Sequence, residues 1–218
     1  MPQPAGRQFV SGLVLAAGGS SRLGRPKQLL PYGDGTLLEH VLGTACSSPL
    51  EPLIVAIGGS AHEVQARIDL RGAEVVVNES FGEGCSSSIA AALPLVDPAA
   101  DLLVLMLGDQ PGVTGANVCG LVSRRGDAPI AVCRYDDGRG HPFAFSREVF
   151  GELAELHGDK AVWKLLDRRP ELVTEVRMPG PVPLDVDTWE DYEAVLSAAS
   201  LASATQEMMR WSSRTTST

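Results

Sequence analysis

Apolar residues along the first half of the chain fall into two patterns that alternate. Short continuous apolar runs predict strands that are buried on both faces, as in the middle of a parallel sheet. Between these runs, apolar residues spaced three or four positions apart predict amphipathic helices. The predicted strands are Phe9–Ala16, Leu53–Ile57, Ala73–Val77 and Asp101–Leu107, and the predicted helices are Leu37–Ala45 with Thr36 as its N-cap, Ala61–Ile68 and Ser86–Leu95.

The second half of the chain is less regular but continues the alternation. Its predicted strands are Pro129–Arg134, Pro142–Phe145 and Leu172–Met178, and its predicted helices are Arg147–Leu156, Lys160–Arg168 and Thr188–Ala199. This order predicts an α/β protein with one domain, residues 9–200, built on a Rossmann-like, mostly parallel sheet with helices on both faces. Residues 201–218, of which eight are Ser or Thr, are expected to form a mobile C-terminal tail.

Composition and charge indicate which kinds of binding partner the protein is expected to have. Of the 218 residues, 44% are hydrophobic, and no apolar run reaches the roughly 18 residues of a membrane span. The net charge of −9 argues against nucleic-acid binding, yet residues 1–33 hold four basic residues and no acidic one, which favours a small anionic ligand. The separated cysteines (Cys46, Cys85, Cys119 and Cys133) and an N-terminus unlike a secretion signal favour a cytoplasmic protein, with Cys85 as a packing residue.

The basic residues lie in a loop of small residues directly after the first predicted strand. Small residues let a backbone approach a ligand closely, and successive N–H groups can surround phosphate oxygens. Arg22 can form paired hydrogen bonds with a phosphate, and Lys27 can supply a mobile charge. Because ligands of parallel sheets bind beyond the carboxyl ends of strands, this loop is a candidate phosphate site.

Two common phosphate-binding motifs do not fit the loop. Gly19 and Gly24 have the spacing of a Walker A motif, but Arg25 and Pro26 follow where Lys and Ser or Thr are needed. The adjacent glycines at 18 and 19 also break the G-x-G-x-x-G pattern of dinucleotide-binding proteins. The simplest alternative is a glycine-rich turn with solvated basic residues. That alternative does not explain why small residues and the basic cluster occur together directly after a buried strand.

The segment LAAGGSSRLGRPKQLLP, residues 15–31, resembles the opening signature of the nucleotidyltransferases related to molybdenum-cofactor biosynthesis. Its double alanine and its PKQLLP sequence are most similar to the molybdenum-cofactor cytidylyltransferase branch. The resemblance implies a fold like that of the nucleotide-diphospho-sugar transferases, a loop that surrounds a nucleoside triphosphate, and phosphate binding by Arg and Lys. The nucleotide-binding residues implied in this segment are Leu15, Ala16, Ala17, Gly18, Gly19, Ser20, Ser21, Arg22 and Lys27.

Two acidic motifs supply candidate metal ligands. Asp109, in GDQP, follows the most apolar predicted strand, where a carboxylate could hold Mg²⁺ against phosphates or simply cap a turn. Asp185 and Asp187 lie two apart in an extended segment and could face one cation, although a helix N-cap at Asp187 is the simpler interpretation of that motif alone. Both motifs resemble metal-binding motifs of the family, which implies Mg²⁺ as cofactor and all three acids as ligands. Trp189 stands where the family usually has proline.

Three further segments resemble motifs of the family. GEGCSSSI, residues 82–89, resembles a segment near the base, which implies nucleotide contacts by Gly84, Ser86 and Ser88; an N-cap serine run is the alternative. RGHPF at 139–143 and GDKAVWKLL at 158–166 resemble segments on the acceptor side, with Ala161 and Val162 departing from the usual residues. The candidate acceptor contacts are Gln110, His141 and Asp159.

The resulting hypothesis is a Mg²⁺-dependent transfer of CMP from CTP to a phosphate acceptor, with release of pyrophosphate. Such a transfer depends on positioning and charge neutralisation, for which Arg22, Lys27 and Asp109 are the candidate catalytic residues. The resemblance implies a molybdopterin-type molybdenum cofactor as acceptor and a molybdenum hydroxylase as recipient of the product. The alternatives are a guanylyltransferase, a sugar- or polyol-phosphate cytidylyltransferase, a non-catalytic molybdenum-cofactor carrier, and a nicotinamide-dependent oxidoreductase.

Overall fold

A seven-stranded sheet organises residues 8–201, the part of the chain that the computed structural model describes. The strands are β1 (Val10–Ala16), β2 (Pro31–Tyr32), β3 (Gly35–Thr36), β4 (Leu53–Ile57), β5 (Glu74–Val77), β6 (Leu102–Leu107), β7 (Ile130–Arg134), β8 (Arg139–Ser146) and β9 (Val173–Arg177). The helices are α1 (Leu37–Cys46), α2 (Ala61–Arg67), α3 (Cys85–Ala92), α4 (Gly115–Arg124), α5 (Phe150–Ala154), α6 (Ala161–Arg168) and a last helix, α7, described from residue 189 to residue 201.

The strand order in the sheet is β5-β4-β1-β6-β8-β7-β9, and β2 and β3 form a separate antiparallel hairpin. β1 pairs in parallel with both β4 and β6, while β8 runs antiparallel to both β6 and β7. The predicted fold class, a mostly parallel α/β sheet, is therefore confirmed. Because β1 and β6 lie side by side in the interior of the sheet, the segments that follow them leave the sheet at the same edge.

Alternate residues of β1 face two separate apolar layers. Leu13 packs with residues of α3, α5 and α6 on one face, and Val14 packs with residues of α1, α2 and α4 on the other. Both side chains are fully buried, and burying such a side chain contributes about 1.5–3 kcal/mol to stability. The continuous apolar runs of the sequence thus correspond to strands covered by helices on both faces, as predicted.

Several local details differ from the sequence prediction. Neither α4 nor the β2–β3 hairpin was predicted, and the helix predicted at 147–156 is a 3-10 turn followed by the five-residue α5. Thr36 caps α1 as predicted, because its hydroxyl accepts from the backbone N–H of Glu39 at 3.3 Å. The predicted domain boundary at residue 200 and the tail at 201–218 stay predictions, since residues 202–218 lie outside the described part of the chain.

Among residues 8–201, no helix combines the length and the apolar character that crossing a membrane requires.

Candidate active site

A cavity of about 180 Å³ lies beyond the carboxyl ends of β1 and β6. This volume is below the roughly 300–1,000 Å³ of pockets that enclose a whole small molecule, so the cavity can hold only part of a nucleotide. Its position is the one expected for ligands of parallel sheets. The lining residues are Leu15, Ala16, Ala17, Gly18, Lys27, Gln28, Phe81, Gly84, Cys85, Ser88, Leu107, Gly108, Asp109 and Asp159.

The loop after β1 is held in shape by two polar side chains of its own segment. The Ser20 hydroxyl accepts a hydrogen bond from the backbone N–H of Lys27 at 3.0 Å. Gln28, which is 3% exposed, donates from Nε2 to the carbonyls of Ala16 at 2.6 Å and Gly18 at 3.2 Å. The sequence analysis missed Gln28. An amide that stands directly after Lys27 in an otherwise apolar stretch was the available signal.

Lys27 lies between two carboxylates at the mouth of this loop. Its Nζ donates to Asp109 Oδ2 and, at 2.9 Å, to Asp187 Oδ1. Burial alone would lower the pKa of Lys27, but the charges of and hydrogen bonds to Asp109 and Asp187 outweigh that effect and raise it. Asp187 also accepts from Arg22 at 2.8 Å. The hydrogen bond from Lys27 is the main reason that the pKa of Asp187 is lowered. The predicted basic and acidic residues therefore meet at one place.

The acidic segment before α7 is anchored to the loop after β6. The backbone N–H of Val186 donates to the Asp109 carbonyl at 3.2 Å, and Gln110 Nε2 donates to the Asp185 carboxylate and to the Pro183 carbonyl. Burial, followed by repulsion from Asp109, raises the pKa of Asp185 to about 6. Three acids are thus gathered near one another, and their mutual repulsion is partly relieved by Lys27.

The structure contradicts the N-cap interpretation of Asp187, and its role as a metal ligand stays a prediction. Thr188 is the N-cap of α7, since its hydroxyl accepts from the backbone N–H of Asp191 at 3.2 Å and Asp191 in turn accepts from the Thr188 N–H at 2.8 Å. The Asp187 side chain is therefore free to bind Lys27 and Arg22. Trp189, at the departure from the family pattern, leaves this capping intact and lies 5.8 Å from the guanidinium of Arg25.

The carboxylates of this site fit a divalent cation in part. Within the described residues, no group of three or more His, Cys, Asp or Glu side chains is placed to hold a metal ion. Asp109 and Asp187 nevertheless flank one cationic group, the Lys27 ammonium, and Mg²⁺ needs only one or two carboxylates when substrate phosphates supply further oxygens. The two acids fit a metal that binds together with a nucleotide, and they do not form a complete site alone.

The segment predicted to lie near the base forms one wall of the cavity. Gly84 has a φ of 102°, and a Cβ there would lie 2.6 Å from the backbone nitrogen of Asp159, so a larger residue is excluded. Ser88 lines the cavity, whereas the buried Ser86 does not. The Cys85 thiol donates to the Asp159 carbonyl at 2.8 Å, and burial raises its pKa to about 11. A protonated thiol fits the expected packing role of Cys85.

The predicted acceptor contacts separate into two groups. Asp159 lines the cavity, and its carboxylate accepts from the backbone N–H of Cys85 at 3.2 Å. His141 does not line it: its ring packs 4.2 Å from the Phe143 ring, and burial lowers its pKa to about 3. Gln110 is buried, is bonded to Asp185, and is likewise absent from the cavity wall. Asp159 thus lies at the cavity while His141 and Gln110 lie away from it, and the acceptor contacts of all three stay predictions.

The remaining predicted residues also divide into those that line the cavity and those that do not. The wall includes all of Leu15, Ala16, Ala17 and Gly18, and it gains five residues that the sequence analysis did not assign to the site: Gln28, Phe81, Cys85, Leu107 and Gly108. The predicted residues beside the wall, but not part of it, are Gly19, Ser20, Ser21, Arg22, Ser86, Asp185 and Asp187. Arg22 and Asp187 lie at the solvent side, with side chains 64% and 44% exposed.

Comparison with known proteins adds three findings. The family model described as "MobA-like NTP transferase domain" matches residues 12–173, which include the loop after β1 and Asp109 but not Asp187. Nicotine blue oxidoreductase of Paenarthrobacter nicotinovorans is 30% identical over 195 residues, which cover 85% of this chain and 93% of the relative. The structure of CMP:2-keto-3-deoxy-manno-octonic acid synthetase complexed with CTP covers 89% of this chain and 100% of its own, with a TM-score of 0.72. At 16% identity it shows a common fold only.

The protein Rv0371c of Mycobacterium tuberculosis H37Rv is more similar to this chain. One crystal structure of it is 50% identical, with a TM-score of 0.83, and covers 87% of this chain and 98% of its own. A second, in complex with manganese, is 48% identical, with a TM-score of 0.79, and covers 87% of this chain and 99% of its own. The similarity therefore extends over nearly the whole of both proteins.

Proposed function

This chain belongs to the family of MobA-like NTP transferase domains and is a nucleotidyltransferase; we propose that it transfers CMP from CTP to the phosphate of a molybdopterin-type molybdenum cofactor. The choice of CTP follows the double alanine and the PKQLLP sequence of residues 15–31, which are most similar to the cytidylyltransferase branch. The acceptor follows the sequence signature at residues 15–31, which is most similar to the molybdenum-cofactor branch.

The observation that carries the proposal is the position of Lys27 between Asp109 and Asp187, beside a loop of small residues at the end of β1. The loop can wrap a triphosphate closely, Lys27 can bind its oxygens, and the acids can hold the counter-ion that phosphates bring. A cofactor carrier needs the pocket alone, whereas this site also has the charges that a departing pyrophosphate requires.

In the proposed reaction, an oxygen of the acceptor phosphate forms a bond with the α-phosphorus of CTP. The bond between the α-phosphorus and its bridging oxygen to the β-phosphate breaks, and pyrophosphate leaves with that electron pair. Lys27 and Arg22 neutralise the negative charge that grows on the leaving group. A phosphate monoester is already a nucleophile near neutral pH, so no side chain has to remove a proton.

Asp109 and Asp187 are the residues that would hold Mg²⁺. When bound, the ion supplies positive charge beside the phosphate oxygens. The manganese complex of Rv0371c is consistent with a divalent ion in this family. In the free protein, the carboxylates bind Lys27 instead.

The proposal is tested by measuring pyrophosphate release from CTP and from GTP, with molybdopterin-type cofactor as acceptor. We expect release with CTP, and a loss of at least about 100-fold in Lys27→Ala and Asp109→Asn, the scale of losing one transition-state contact. Arg67→Ala, which removes an exposed basic residue of α2, is the matched control and should keep wild-type turnover. Circular dichroism checks that each variant is folded.

Near-normal turnover in either site variant would remove that residue from the catalytic assignment. Preference for GTP would keep the mechanism and reassign the donor to the guanylyltransferase alternative. Release with a sugar or polyol phosphate, but not with molybdopterin, would reassign the acceptor. If no pyrophosphate is released with any of these acceptors, the non-catalytic carrier becomes the better account.

A second candidate function is a redox activity, which the name of the Paenarthrobacter relative suggests. The broken G-x-G-x-x-G pattern at Gly18 and Gly19 argues against a nicotinamide cofactor at this loop. Absorbance of NADH and NADPH at 340 nm, followed with nicotine blue as the electron acceptor, separates the two functions. Protein-dependent oxidation that survives Lys27→Ala would favour the redox activity.

A further inference from the structure

Asn78, directly after β5, has every polar atom of its side chain engaged. Its Nδ2 donates to Ser87 Oγ at 2.8 Å and to Ser88 Oγ at 2.9 Å, while its Oδ1 accepts from the backbone N–H of Ser80 at 2.9 Å. The residue is 4% exposed, and its own N–H donates to the Ile57 carbonyl at the end of β4. Asn78 is therefore fixed behind the cavity wall that α3 forms.

The N–H of Ser80 determines which way round the Asn78 amide stands. If the oxygen and nitrogen were exchanged, the NH₂ group would face that N–H, donor against donor. The observed orientation is the one that pairs every atom. Asn78 thus presents both of its hydrogens to α3, and the hydroxyls of Ser87 and Ser88 must act as acceptors toward it.

The two serines differ in what happens to their own hydrogens. Ser87 donates within the protein, with the carbonyls of Gly84 at 2.8 Å and Ser80 at 3.0 Å available to it. Among the hydrogen bonds of residues 8–201, the Ser88 hydroxyl takes part only as acceptor from Asn78, although Ser88 is 2% exposed. Ser88 is also the serine of the two that lines the cavity. A buried hydroxyl hydrogen without a partner is costly, which points to an acceptor on a bound ligand.

We propose that Asn78 is a positioning residue for base selection, because it holds the Ser88 hydroxyl as a hydrogen-bond donor toward the base of the nucleotide. This inference rests on the proposed function. Cytosine carries an unprotonated ring nitrogen, N3, on its pairing edge, whereas uracil carries N3–H at the same place. Cytosine satisfies the Ser88 hydrogen, while uracil leaves it unpaired, so the arrangement favours CTP over UTP.

The inference is tested by titrating CTP and UTP, each with Mg²⁺, into wild-type protein and three variants in a calorimeter. Wild type should bind CTP at least about tenfold more tightly than UTP, the effect of one hydrogen bond. Ser88→Ala should bring the two dissociation constants within about threefold of each other, because the donor is gone. Asn78→Asp should reduce or invert the preference, since a carboxylate accepts the Ser88 hydrogen and turns the oxygen lone pairs toward the base.

Ser87→Ala is the matched control. It removes the other hydrogen bond from Asn78 Nδ2 while leaving Ser88 in place, so the ratio of the CTP and UTP constants should stay that of wild type. If the role of Asn78 were merely structural, its replacement would weaken the binding of CTP and UTP equally and leave the ratio of their dissociation constants unchanged.

The outcomes separate the inference from the proposed function. If wild type binds CTP tightly and Ser88→Ala keeps the full preference, the inference is overturned and the function stands. If wild type does not bind CTP, the proposed function fails and the inference fails with it. If Asn78→Asp does not fold, Asn78→Ala tests the same residue: without the amide donors the Ser88 hydroxyl can turn, so the preference for CTP should fall, and an unchanged ratio would overturn the role of Asn78.

Discussion

Single residues at the mouth of the loop differ in how firmly they are held. The side chains of Lys27 and Asp109 are 13% and 15% exposed, so this partly buried ion pair is screened less by solvent than a surface pair and is held more firmly. Arg22 and Asp187 are exposed, and such surface pairs contribute about 0–1 kcal/mol. Arg22 can therefore leave Asp187 for a phosphate at little cost. Lys27 leaves Asp109 only when other charges replace it there.

This difference predicts that Lys27 competes with divalent cations in the free protein. Replacing it by Met removes the ammonium from between Asp109 and Asp187, so Mn²⁺ should bind without nucleotide at least about tenfold more tightly than to wild type, or about 1.4 kcal/mol. The loss of the electron paramagnetic resonance signal of free Mn²⁺ measures this binding. Arg22→Met, which frees only the exposed side of Asp187, should change it little. Equal affinity in wild type and Lys27→Met would contradict the competition.

The residues that the sequence predicted and those it missed differ in charge. Lys27, Asp109 and Asp187 were predicted because a basic loop and acidic strand ends are visible as patterns. Gln28 and Asn78 were not, since each is an uncharged amide whose partners are backbone carbonyls or serine hydroxyls. Such partners come together only once the strands are paired, so no spacing in the sequence identifies them.

At the scale of secondary structure elements, α4 shows what the hydrophobic pattern cannot predict. The helix contains Gly115 and Gly120, which weaken its intrinsic helical preference. It forms because Val118 and Leu121 are fully buried in the apolar layer beside α1, and because Thr114 and Asn117 make a reciprocal cap. Tertiary packing and one cap therefore outweigh the two glycines.

The cap of α4 is expected to contribute measurably to stability. Thr114→Ala leaves the backbone N–H of Asn117 without its side-chain acceptor and should lower the free energy of unfolding by about 1 kcal/mol in a urea titration. Thr36→Ala, at the analogous cap of α1, is the comparison and should give a loss of similar size. A variant at Thr114 as stable as wild type would mean that packing alone maintains α4.

At the scale of the whole molecule, the sequence predicted which segments form the sheet better than it predicted whether neighbouring strands run parallel or antiparallel. Continuous apolar runs identify buried strands such as β1, β4 and β6, and alternating helices imply parallel connections. β8 is likewise mostly buried but runs antiparallel to its neighbours, a reversal that hydrophobicity does not encode. The candidate site was predictable mainly because its loops follow the two strands whose burial is most evident.

Global stability should depend on the protonation of His141. Burial lowers its pKa from 6.5 to about 3, so between these values the unfolded chain binds a proton that the folded chain does not. This contribution to stability is present above pH 6.5 and is lost as the pH falls. From pH 7 to pH 5 it should cost about 2 kcal/mol, which His141→Gln should not lose. Urea titrations at both pH values measure the difference. Parallel losses in wild type and variant would contradict a buried neutral His141.

The central claim, a site for CTP and a divalent ion beside Lys27, is tested most directly by thermal unfolding with CTP, GTP, ATP, UTP and NAD, each with and without Mg²⁺. A ligand at 100 times its dissociation constant stabilises the folded state by about 2.7 kcal/mol. We expect a Mg²⁺-dependent shift that is larger with CTP than with the other nucleotides and is lost in Lys27→Ala. A shift with NAD alone, or a CTP shift that Lys27→Ala retains, would contradict the account.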